Sequence, residues 1–121
     1  MDKAQAWHTF WSSFGWDAYD ENTVPDDAQL PYITYEYVDA NLDKPVTVSI
    51  NLWYRSHSWE EITAKSTEIS HAIGYGGTTI RFDEGIIYLT LGTPFAQRLS
   101  GDDDSVRRII ITPTVEFLSA A

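Results

Sequence analysis

Across residues 44–74 the hydrophobic pattern changes period in mid-course. Val46, Val48, Ile50, Leu52 and Tyr54 alternate with Thr47, Ser49, Asn51 and Trp53, the two-residue period of a half-buried strand, and a long one. From Trp59 the period is helical: Trp59, Ile62, Ser66, Ile69 and Ile73 share one stripe, with Glu60, Lys65 and Glu68 outside it. Ser58 and Glu61 have the spacing of a capping box at the helix start. Gly74 follows the last periodic residue, where a left-handed residue closes a helix. A strand is therefore expected to hand over to a helix through a tight corner at 56–58.

The flanking patterns predict elements that cover this unit. Residues 2–14 place Ala6, Trp7, Phe10, Trp11 and Phe14 at helical spacing, with Asp2 as cap and Gly15 as stop. The stripe reads as core packing, with an aromatic ligand groove as the other reading. Residues 16–29 are acidic and turn-rich and read as a connection. Residues 31–38 alternate, Ile33, Tyr35 and Tyr37 against Tyr32, Thr34 and Glu36, and a turn at 39–43 leads into the long strand as an antiparallel hairpin. Residues 78–82 and 86–91 flank Asp83-Glu84-Gly85, read as a three-residue hairpin loop with Gly85 at positive φ. Residues 92–105 break the pattern and read as a long, functional or mobile loop. Residues 106–118 form a last strand with Ile109, Ile111, Val115 and Phe117 on one face, interrupted by Pro113. The expected fold is one α+β domain over residues 1–121, an antiparallel or mixed sheet packed with two helices in the order α-β-β-α-β-β-β.

Composition narrows the function. The 121 residues suffice for a core without staples, and with no cysteine there is neither a disulfide framework nor a thiolate site. No apolar run approaches the ~20 residues of a membrane span, and the N-terminus carries no signal-peptide pattern, so use inside a cell is expected. A net charge of −10, with eight Lys and Arg against 18 Asp and Glu, argues against a nucleic-acid reader. Such an acidic chain can still surround DNA without gripping it. Five Trp, seven Tyr and five Phe form a heavy aromatic load that must sit in the core or at subunit contacts.

Catalytic chemistry is thinly represented. His8, His57 and His71 lie apart with no ligand spacing between them, and the glycines at 74, 76 and 77 follow a helix rather than a strand, the wrong context for phosphate binding. Asp102, Asp103 and Asp104 are weak candidates for Mg²⁺ or Ca²⁺, since consecutive carboxylates diverge; a solvated loop tip is the simpler reading. No enzyme and no cofactor are expected. Assembly remains. Tyr32, Trp53, Tyr88 and Phe95 have no evident place in a single-layer core, so they are either contact anchors or covered by a second helix layer.

Three stretches resemble the tail terminator (tail completion) proteins of long-tailed bacteriophages. WHTFWSSFGWDAYDENTVPDDAQLPYITYEYV is similar to the family's opening helix, acidic loop and Pro-led strand. VTVSINLWYRSHSWEEITAKSTEISHAI is similar to its long strand running into a helix, and RRIIITPTVEFLSA to its final strand. The likeness spans nearly the whole chain. It implies a hexameric ring that caps the tail tube, stops elongation and offers the head-joining surface. The implied partners are further copies, the tail tube protein and a neck or head-completion protein, with DNA passing through the lumen without sequence-specific binding and no membrane involved. The implied location is the head-proximal end of the virion tail, assembled in the host cytoplasm, with Mg²⁺ at most an assembly aid. The 92–105 stretch, with Phe95, Arg98, Asp102, Asp103 and Asp104, would face the tube. The other readings are a related neck connector or minor capsid subunit, or a small-ligand-binding α+β domain.

Overall fold

Asp2 starts the first helix, α1 (Lys3–Ser12), with a complete capping box: its carboxylate accepts from the Gln5 amide at 2.8 Å, and its own amide donates to Gln5 Oε1 at 3.1 Å. The computed structural model describes residues 1–38, 44–99 and 103–119. The expected turn at 39–43, and Asp102, lie outside them. Past α1, Gly15 at φ 86° turns the chain into β1 (Asp17–Asp20), then β2 (Tyr32–Tyr35), β3 (Val46–Thr47) and β4 (Ile50–Arg55). Helix α2 (Glu60–Ile73) follows, then β5 (Thr78–Phe82), β6 (Gly85–Thr90), β7 (Ala96–Leu99), β8 (Val106–Ile111) and β9 (Thr114–Ser119). The fold is α+β, with two helices and nine strands among the described residues.

The strands form two sheets, β1-β2-β4-β8-β7 and β3-β9-β6-β5. All pairs are antiparallel except β1 with β2. One ribbon joins the sheets. Val46 faces Val115 in the smaller sheet and Ile50 faces Ile111 in the larger, so the pairing keeps one register through the break, where the Val48 amide donates to the Pro113 carbonyl at 3.1 Å. Both helices pack on the inner side, α1 against β1, β2 and β5, and α2 against β4 and β8. Trp11, Ile33, Ile50, Leu52, Ile62, Ile69, Ile87, Leu89 and Ile111 are completely buried in one cluster. Lys65 of α2 fastens the two helices by donating to the Phe14 carbonyl at 2.7 Å.

Several expectations need correction. The long strands are real as a paired ribbon, but each divides between two sheets, because Pro113 has no amide to continue the ladder. The acidic connection contains β1, and the presumed loop at 92–105 contains β7. Ser58 and Glu61 form no capping box: Trp59 occupies the cap position without a side-chain bond, and Ser58 Oγ accepts from the Glu60 amide at 3.1 Å. Gly85 lies within β6, opposite Phe82, so the hairpin turn is the pair Asp83–Glu84 and Gly85 has no positive φ. The corner between β4 and α2 is as expected, held by the Ser56 amide on the Ser105 carbonyl at 2.8 Å and by Arg107 on the His57 carbonyl at 2.6 Å. Gly74 closes α2 at φ 75°.

Candidate functional site

The two-residue period that buries Ile33, Leu52 and Ile109 sends their neighbours to the opposite face of the five-stranded sheet, where neither helix lies. Strand register sets two rows of side chains there. One runs Asp17, Tyr32, Trp53, Arg108, Leu99; the next runs Tyr19, Thr34, Asn51, Ile110, Gln97. The aromatic members touch in sequence: Tyr19 stands edge-on to Tyr32 with centroids 5.7 Å apart, Tyr32 lies 6.4 Å from Trp53, and the Arg108 guanidinium sits 4.7 Å over the Trp53 ring.

Hydrogen bonds lock the rows together. Trp53 Nε1 donates to Thr34 Oγ1 at 3.0 Å, and Arg108 Nε donates to Asn51 Oδ1 at 2.8 Å. Thr34 and Asn51 are thereby buried and satisfied beneath the aromatic and guanidinium groups. The result is a rigid, partly exposed platform of rings and one cation, the side-chain types that dominate binding at protein contacts.

Trp53 and Tyr32, expected as anchors, lie side by side on this platform. Tyr88 is on the outer side of the smaller sheet, where its hydroxyl donates to the Gly76 carbonyl. Phe95 is partly buried and packs on the core. Arg98 lies on the helix side of β7, 5.0 Å over the Trp59 ring, and Arg107 stacks on the same ring at 5.2 Å. Sequence reading missed Arg108 and Tyr19. Arg108 was legible only as half of an adjacent pair of arginines, and Tyr19 sits in what looked like a connection.

Asp103 and Asp104 are exposed at the start of β8. Asp103 accepts from the Ser105 hydroxyl at 2.7 Å and from the Ser105 amide at 2.8 Å. These bonds hold its carboxyl below the usual aspartate range, with Arg55 and His57 adding weaker attraction. A depressed folded pKa stabilises the fold above the unfolded pKa, and that stabilisation is lost as pH falls through the folded value. Asp103→Asn is therefore expected to flatten the drop in unfolding midpoint below about pH 4. Superimposable acid limbs for the two proteins would refute the coupling.

One further polar array emerges in three dimensions. Ser12 Oγ lies 3.2 Å from His8 Nε2, and His8 Nδ1 lies 2.9 Å from the Tyr35 hydroxyl. Burial, then the nearby Asp20 carboxylate, raises the Tyr35 pKa. Ser12 ends α1, where the helix carbonyls oppose an oxyanion, and a phenol rather than a carboxylate orients the histidine. The array ties α1 to β2. Among the described residues no three His, Asp or Glu side chains converge as a metal group, and no helix is long and apolar enough to cross a membrane. The larger clefts are shallow. One of about 600 Å³ is lined by Met1, Ala4, Gln5, His8 and Thr9, one of about 590 Å³ by Trp59, Glu60, Thr63 and Arg98, and one of about 520 Å³ by Lys3, Tyr37, Phe82 and Phe117. Comparison of the chain with protein-family models, curated proteins and solved structures finds no match.

Proposed function

We propose that this chain is a non-catalytic structural subunit that forms a ring on the end of a long-tailed phage tail tube, ending elongation and presenting the head-joining surface. The observation that carries this reading is the aromatic and arginine platform on the outer face of the five-stranded sheet. Its rings are already packed and hydrogen-bonded, so little side-chain freedom is lost when a partner covers them. The resemblance in element order supplies the partners: further copies in a hexamer, the tail tube protein, and a neck or head-completion protein. The acidic balance suits a lumen through which DNA slides without sequence-specific grip. The protein acts without a cofactor, Mg²⁺ serving at most as an assembly aid, and resides in the virion after assembly in the host cytoplasm.

The test is to mix purified protein with growing tail tubes, with and without Mg²⁺, and to image them by electron microscopy. Rings at one end of each tube and arrested growth are expected. A protein that stays monomeric at every concentration and leaves tube growth unchanged sinks the reading.

A further inference from the structure

The five-stranded sheet is electrically polarised from one edge to the other. The chain has no Lys or Arg from residue 4 to residue 43. That span supplies β1, its connection to β2, and β2, so Asp17 and Asp20 lie on the edge strand β1, Glu21, Asp26 and Asp27 in the connection that follows it, and Glu36 just past β2. Asp20 caps the Asn22 amide and Glu36 accepts from the Ser49 amide, whereas Asp17, Glu21, Asp26 and Asp27 are exposed.

The arginines cluster toward the other edge. Arg98 on β7, Arg107 and Arg108 on β8 and Arg55 at the end of β4 are half of the eight Lys and Arg residues in the chain. Among the described residues none of the four forms an ion pair with a carboxylate, although Glu60, Glu61, Asp103 and Asp104 lie on that side of the molecule. Tryptophan rings, a backbone carbonyl, Asn51, Ser105 and Thr63 hold them instead. Arg107 Nε is buried with no acceptor among the described residues. In a chain of net charge −10, four arginines on this side with no carboxylate ion pair among the described residues can still take an anion from a partner.

Both edges are also open. Among the described residues β1 pairs only with β2 and β7 only with β8, and each has four residues. Following the pairings across the sheet, β1 runs antiparallel to β7. A second copy in the same orientation therefore presents its β7 edge to β1 in a sense that permits an antiparallel ladder.

We propose that the β1 edge of one copy docks on the β7–β8 edge of the next, its carboxylates meeting the arginines, in a head-to-tail contact that repeats around the assembly. Such a heterologous contact uses two different patches of one surface, and it closes into a ring when the rotation per subunit divides a full turn. This deepens the proposed ring function and rests on the chain assembling with itself.

Two variants built on exposed residues test it: Asp17→Lys with Asp26→Lys and Asp27→Lys, and Arg55→Glu with Arg98→Glu. Mass by light scattering and native mass spectrometry is read for each alone and for their equimolar mixture, with thermal melts to confirm folding. Wild type is expected to assemble and to weaken steeply as salt rises. Each variant alone places like charges at the contact and is expected to need at least a hundredfold higher concentration to assemble. The mixture restores both contacts and is expected to form alternating assemblies at wild-type concentrations. If folded variants assemble as wild type does, the contact lies elsewhere and the ring function stands. If wild type stays monomeric even on tail tubes, both fail. If the arginine variant loses DNA retention in a gel while assembly is unchanged, the arginine cluster serves phosphates, and this proposal is overturned.

Discussion

Gly92→Ala is expected to lower the unfolding midpoint by about 10 °C, equivalent to about 3 kcal/mol for a domain of this size. A Cβ at residue 92 would sit 1.9 Å from the Thr112 carbonyl oxygen, so backbone must move. Thr112 has little room to yield. Its amide donates to the Phe95 carbonyl at 2.8 Å and its hydroxyl to the Pro94 carbonyl at 2.6 Å, which clamps it at the corner between β8 and β9. Gly76→Ala is the matched control, because nothing lies within 4 Å and its φ is ordinary; it is expected to be close to neutral. Urea unfolding of the two variants checks the difference, and equal midpoints would show that the corner relaxes freely.

Trp11→Ala is expected to cost about 3–5 kcal/mol. The ring has no exposed surface and meets Trp7 edge-on at 5.5 Å and Phe10 edge-on at 4.9 Å, so truncation empties the space between α1 and the sheets. Trp11→Phe separates volume from polarity. The indole Nε1 is buried with no acceptor among the described residues, a defect of about 1–3 kcal/mol that phenylalanine removes while giving up part of the ring. That variant is therefore expected to lie within about 1.5 kcal/mol of wild type. Equilibrium unfolding decides, and equal losses for the two substitutions would contradict this account of the site. The aromatic stripe of α1 is core.

What was legible in the sequence is what repeats. The aromatic stripe of α1, the isoleucine stripe of α2, Asp2 and Gly74 at their helix ends, and the pairing of residues 32–35 with 50–53 all follow from period and capping. The two edge strands of the larger sheet, β1 and β7, escaped because DAYD and AQRL carry no clear apolar alternation. Pro113 announced a break, but only the pairing of β9 with β6 shows that the chain changes sheets there. Half of the outer platform was visible as Tyr32 and Trp53 on a polar face. Arg108 and Tyr19 join them only once strand order is fixed, because residues 19 and 108 are brought to one surface by β2 and β4 between them. The charge division was likewise present as a composition bias, and sheet order turns it into two opposite edges.

The ribbon shared by the two sheets has a mechanical consequence. Since the pairing of residues 46–55 with 106–115 keeps one register through the bend, neither sheet can slide along its strands without dragging the other. Tension applied at one rim of the molecule is carried through the ribbon to the opposite rim, with Gly92 and Thr112 packed into the bend as its wedge. The subunit is braced like an angle bracket, two plates cut from one strip.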